Sequence, residues 1–210
     1  MTLYEKPDFW SLKAKKEAYP ARSVYKLKEI DEKFHFFKHA KQTDFRVLDI
    51  GAAPGSWSLY VLRQYGMTSN NHGNLILTAV DLQLLSNNND FSYCENFSFI
   101  QGDFTHGPVQ EELIHRGPYN TIISDAAPPT TGSRIVDTQR SISLAEEVFS
   151  FAKNCLIPGG NLVIKVFQGG DTVDLLKYLR ECFNSTKSFK PKSCRSNSFE
   201  TYLLGFGKKN

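Results

Sequence analysis

No stretch of this 210-residue chain approaches the roughly 18 consecutive apolar residues that a membrane-spanning helix requires. Its opening, MTLYEKPDFW, also lacks the apolar core of a secretory signal. A cytoplasmic protein with no membrane association is therefore the expectation. Cysteine is scarce: Cys94, Cys155, Cys182 and Cys194 form no CxxC pair, which excludes a disulfide-stapled class and leaves reduced, mostly structural thiols. There is no internal repeat, and the short polar patch from Ser86 to Asp90 is the sole biased segment. His35 and His39 stand one helical turn apart without a third ligand at sensible spacing, so no metal is expected there. His72, His106 and His115 fall in loop-like segments.

What is present reads as an ordinary globular chain, 40% hydrophobic and 22% charged. Its length suits one domain over 1–210, with a basic helical segment at 1–44 and a cofactor-binding unit of sheet and helices at 45–210. The net charge of +3 is unevenly distributed. Residues 1–46 carry 11 basic and 7 acidic side chains, residues 185–210 carry 6 and 1, and the middle carries 8 and 14. Two basic ends flanking an acidic centre suit a polyanion together with a second, cationic ligand, although charged ends can also simply solvate a chain.

From Phe45 onward, short β-branched runs alternate with longer helix-like segments. RVLDI, LILTAV, FSFI, NTIIS and NLVIKVF read as strands. Helices are expected from Pro54 to about Gln64 and over 136–155, with Pro158-Gly159-Gly160 stopping the second. FETYLLGFG reads as a late strand, and ARSVYKLKEIDEKF as a helix whose apolar face carries Val24, Leu27, Ile30 and Phe34. Strands alternating with helices indicate an α/β fold with a mostly parallel sheet covered on both faces.

VLDIGAAPGSW places Asp49, Gly51 and Gly55 where the first strand turns into a helix, a position where small residues let backbone approach a ligand. The pattern G-A-A-P-G is not G-x-G-x-x-G, which disfavours a pyrophosphate-binding oxidoreductase. Asp81 and Asp103 close the next two strands, positions suited to ribose hydroxyls and to the amino edge of an adenine. An acidic rim favours a cationic sulfonium, so S-adenosylmethionine outranks NAD as the ligand.

One residue does not belong where it stands. Lys165 lies inside LVIKVF, and a buried unpaired ammonium costs several kcal/mol, so it must meet a carboxylate or open onto a ligand cleft. Asp125, at the end of NTIIS, lies on the expected neighbouring strand. A purely structural salt bridge between the two, or a strand-edge lysine reaching water, are the plainer alternatives.

In ARSVYKLKEI, VLDIGAAPGSWS, FIQGDF, SDAAP, PGGNLVIKVFQG and SFETYLL, taken in order, the chain resembles the FtsJ (also called RrmJ) ribose 2′-O-methyltransferases over nearly its whole length. The resemblance implies a Rossmann-like methyltransferase fold, with a mostly parallel seven-stranded sheet and an antiparallel last strand. It places the family's catalytic Lys-Asp-Lys-Glu set on Lys26, Asp125, Lys165 and Glu200, with Lys165 as proton acceptor or positioning group. S-adenosylmethionine would be held by Gly51, Gly55, Trp57, Asp81, Asp103 and Asp125. It further implies RNA as partner, above all a uridine of 23S ribosomal RNA in the large subunit, and a monomeric enzyme. Transfer RNA, or a catalytically silent role in ribosome assembly, are the alternatives. Lys13, Lys15, Lys16, Arg22 and Lys28, with Lys187, Lys190, Lys192 and Arg195, would flank the pocket as a phosphate-binding surface. Pro129 departs from the polar residue common at that position in this branch.

Overall fold

The computed structural model describes residues 8–40, 44–66, 74–86, 91, 94–169 and 172–210. Residues 67–73, which include His72, most of the Ser86 to Asp90 patch, and Gly170 lie outside them.

Among the described residues, seven strands form one sheet: β1 (Phe45–Ile50), β2 (Leu75–Asp81), β3 (Phe97–Gln101), β4 (Tyr119–Ser124), β5 (Leu156–Phe167), β6 (Phe183–Phe189) and β7 (Glu200–Lys208). Their order is β3-β2-β1-β4-β5-β7-β6. The five strands from β3 to β5 run parallel, and β7 is antiparallel to both β5 and β6. The strand order reverses between β1 and β4, the crevice where ligands of open α/β sheets bind.

Among the described residues, six α-helices cover the sheet: α1 (Phe9–Lys16), α2 (Val24–Phe34), α3 (Ser56–Val61), α4 (Gly107–Arg116), α5 (Arg134–Cys155) and α6 (Thr172–Cys182). A π-helical turn, Leu62–Gly66, extends α3. Strand side chains alternate between faces, and two separate cores result. Val47, Leu77, Ile123, Val163, Tyr202 and Leu204 pack with Val24, Leu27, Ile30 and Trp57 of α2 and α3. Leu48, Val80, Ile122, Leu162, Ile164 and Leu203 pack instead with Leu113 of α4, Ala145 and Val148 of α5, and Leu175 of α6.

The expected strands are all present, with one difference at a strand start and one at a helix start. The helix expected over 136–155 ends at Cys155, and the strand expected from Asn161 starts earlier, with Leu156 already paired with Tyr119. Pro158-Gly159-Gly160 then forms an irregularity, because Tyr119 pairs with Leu156 while Thr121 pairs with Asn161. The helix expected from Pro54 begins at Ser56 and runs into the π-turn. His115, which reads as a loop residue, lies instead in the last turn of α4.

Candidate active site

Period-two alternation decides where Lys165 points. Val163 faces the α2–α3 core, so Lys165, two residues on, faces the same side at the sheet's carboxyl end. Its partner across the ladder is Tyr202, and Phe167 pairs with Glu200. Glu200 and Tyr202 share that face because they too are two residues apart. Asp125 follows Ser124, the last residue of β4.

Helix α2 brings the fourth side chain. Its entry is pinned to α3: Ser56 Oγ accepts from Ala21 N at 2.8 Å, and Trp57 Nε1 donates to Ser23 O at 2.9 Å. Lys26, in the first turn of α2, thereby reaches Glu200, with Nζ 2.8 Å from Oε2. Lys165 Nζ lies 3.1 Å from Asp125 Oδ1 and also donates to the Asp125 main-chain carbonyl. Tyr202 donates its hydroxyl to the same Asp125 Oδ1 at 2.7 Å. All four residues expected to act together therefore converge as two ion pairs. Tyr202 is an addition that sequence reasoning missed; its spacing of two from Glu200 is the signal that could have found it.

The charges reinforce one another. Burial pushes the Asp125 carboxyl upward, but Lys165, Lys26 and the Tyr202 hydroxyl outweigh it and hold the carboxyl below its ordinary value. Burial would lower the Lys26 pKa, yet Asp125 and Glu200 raise it overall. Burial and the Asp125 and Glu200 charges keep the Tyr202 phenol protonated, so it donates to the Asp125 carboxylate.

The expected ligand-binding residues line the ends of β1 to β4. Gly51 sits at φ +75°, and a Cβ there would fall 2.6 Å from Ala126, so only glycine allows the β1 loop to touch the residue after Asp125. Gly55, at φ +106°, opens α3. Asp81 is fixed by main-chain N–H groups, accepting from Ala53 at 2.9 Å and Gln83 at 2.8 Å. Asp103 is exposed and accepts from the Thr105 N–H and hydroxyl, which hold its pKa low. Trp57 is buried, its indole N–H committed to Ser23 and its ring 5.8 Å from that of Tyr202, so its side chain is a wall behind the loop. Asp49, beneath the loop, has a fully buried Oδ1 with no hydrogen-bond partner. Four carboxylates on adjacent strand ends, one with an orphaned oxygen, fit a nucleoside-bearing cation.

The basic surface is partly committed elsewhere. Arg22, expected to contact phosphate, pairs with Asp8 and donates to Ser193 O. Trp10, Tyr19 and Tyr25 pack within the protein: Trp10 lies 5.0 Å from Tyr25, and Tyr19 lies under Arg63.

A doubly wound sheet with this loop and ion-paired cluster has the architecture of a Rossmann-like methyltransferase. Human methyltransferase-like protein 13 in complex with SAH shares the fold at a TM-score of 0.56 and 13% identity, covering 81% of this chain and 75% of that one. A crystal structure of a Plasmodium falciparum protein described as a ribosomal RNA methyltransferase matches with TM-score 0.73 and 28% identity, covering 90% of this chain and 98% of that one. The profile of the FtsJ-like methyltransferases matches residues 19–208, and the chain belongs to that family. A Treponema denticola relative, "Ribosomal RNA large subunit methyltransferase E", is 48% identical over 96% of this chain and 95% of its own. The Borreliella afzelii protein of the same name is 44% identical, covering 96% and 99%.

Proposed function

We propose that this chain transfers a methyl group from S-adenosylmethionine to a ribose 2′-hydroxyl of large-subunit ribosomal RNA, at a uridine of the 23S molecule, acting as a cytoplasmic monomer. The observation that carries the reading is the meeting of Lys26–Glu200 and Lys165–Asp125 on one face of the sheet beside the glycine loop. The names of the Treponema and Borreliella relatives support the RNA target.

Bound S-adenosylmethionine supplies an electrophilic methyl carbon on a positively charged sulfur. Gly51 and Gly55 would let the backbone approach it, Trp57 would back the loop, Asp81 would receive ribose hydroxyls, Asp103 would take the adenine amino edge, and Asp125 would stand at the reacting end.

A ribose hydroxyl is a weak nucleophile near neutral pH, so rate comes from aligning it and drawing off its proton. Lys165 is the proton acceptor. It accepts the proton through its amine nitrogen. Asp125 orients it through two contacts, one to the side chain and one to the main chain. Lys26, kept cationic by Asp125 and Glu200, places positive charge near the oxygen as its O–H bond weakens. RNA is the substrate class because a 2′-hydroxyl exists only there. Lys13, Lys15, Lys16, Lys28, Lys187, Lys190, Lys192 and Arg195 supply phosphate contacts around the site.

The test is transfer of tritiated methyl to large ribosomal subunits lacking the modification, with transfer RNA as a parallel substrate. Label in 23S RNA at a ribose supports the reading. Label only in transfer RNA, or none in any RNA, overturns it.

A further inference from the structure

Strand β5 outruns its parallel neighbour. The last residue pair joining them is Ser124 with Ile164, so Lys165, Val166 and Phe167 project beyond the end of β4. Backbone N–H groups on that exposed side need partners. The Phe167 N–H is met by α5, whose first turns carry three polar side chains on one buried face: Asp137 (3% exposed), Thr138 (8%) and Ser141 (2%).

Ser141 Oγ accepts from Phe167 N at 3.0 Å, in a buried bond two residues beyond Lys165. Phe167 is also the residue paired with Glu200. Thr138 packs directly on Gly169, where a Cβ would fall 2.3 Å from Thr138 Cγ2, so the chain leaving β5 is pressed flush against α5. Asp137 holds the other strand's exit. Its Oδ1 accepts from Thr131 N at 2.7 Å and from Thr131 Oγ1 at 2.8 Å, and its Oδ2 accepts from Gly132 N at 3.2 Å. Thr131 and Gly132 belong to the loop that begins at Asp125. One rigid helix face therefore fixes both segments whose starting points carry the Asp125–Lys165 pair, and through Phe167 it also bears on Glu200. None of these three side chains is among the cluster that meets at the strand ends.

We infer that Asp137, Thr138 and Ser141 are positioning residues for methyl transfer, setting the separation and orientation of Asp125 and Lys165 by latching the loops after β4 and β5. The inference rests on the function proposed above. Small displacements of reacting groups are costly, with a misplacement of about 1 Å able to lower rate by about 10²-fold. A residue that only stabilised the fold would not single out the chemical step.

The experiment compares the parent protein with Ser141→Ala, Ser141→Cys and Asp137→Asn. It measures single-turnover methyl transfer to unmodified large subunits, calorimetric affinity for S-adenosylmethionine, and melting temperature. Ser141→Ala and Asp137→Asn are expected to slow the transfer step by about 10-fold or more, with cofactor affinity within about twofold of the parent. Ser141→Cys, which keeps a weak acceptor, should recover part of the rate. Amide exchange at Phe167 in Ser141→Ala, and at Thr131 in Asp137→Asn, should accelerate even if either variant is too unstable for kinetics. Unchanged transfer rates in folded variants, or unchanged amide exchange, overturn the latch. A parent protein that transfers no methyl to RNA overturns the proposed function itself, and the inference falls with it.

Discussion

Lys26 and Glu200 stand 174 residues apart in sequence, and their charged atoms meet at 2.8 Å. The ion pair joins the first turn of α2 to the start of β7 and completes a cluster whose other half is Lys165 on β5 and Asp125 just past the end of the neighbouring parallel strand β4. Both members of the Lys26–Glu200 pair are nearly shielded from solvent, so removing one strands the other. Lys26→Met and Glu200→Gln should each lose about 3 kcal/mol of stability, while the double variant should recover much of that loss. All three should lose methyl transfer. Denaturant unfolding of the four proteins measures the cycle, and strictly additive losses would contradict the coupling.

Lys165→Ala should remove the proton acceptor while sparing the groups that hold the cofactor. Methyl transfer is expected to fall by about 10²-fold or more, with S-adenosylmethionine affinity nearly unchanged by calorimetry. Activity close to that of the parent would remove Lys165 from the mechanism.

Asp49 gives a pH signature. Burial first, then the nearby charges of Asp125 and Asp81, push its carboxyl up to about 7, against the opposing hydrogen bond from Ser58 at 2.6 Å. A carboxyl raised in the folded state stabilises the fold below its unfolded value of about 3.9 and loses that contribution as pH rises towards 7. The gap amounts to about 4 kcal/mol at most. Asp49→Asn removes the penalty, so its melting temperature relative to the parent should become more favourable between pH 5 and pH 8. A difference independent of pH would contradict this.

The basic helix α1 predicts a salt dependence. Lys13, Lys15 and Lys16 are clustered in its last turn, and each phosphate that a variant no longer neutralises should lower the slope of log binding constant against log salt by about 1. Replacing all three with alanine should reduce that slope by up to about 3 and weaken binding to all RNA sequences alike. An unchanged slope would place the RNA elsewhere.

The buried strands and the misfit lysine are legible in the sequence because β-branched runs and a charge inside one of them are local signals. The convergence of Lys26 and Glu200 with that lysine is not local, and it comes through resemblance to a family. Helices α1, α4 and α6 and strand β6 escape the sequence reading. Helix α4 buries only Leu113, and β6, FNSTKSF, is a largely polar sheet edge. Pro158-Gly159-Gly160 reads as a helix stop because a strand irregularity uses the same residues. Arg22 reads as a phosphate-binding side chain because its partners, Asp8 and Ser193, come from distant parts of the chain. Tyr202 and the Asp137–Ser141 face escape for the same reason: a buried hydroxyl or carboxylate gains its meaning from its partner across the fold.

The most direct test maps 2′-O-methyl groups in total RNA from a strain lacking this protein, from its parent, and from the deletion strain carrying Lys165→Ala. The account expects one uridine ribose in 23S ribosomal RNA to be methylated in the parent and unmethylated in the other two. Identical methylation in all three strains, or a lost site only in transfer RNA, would contradict it.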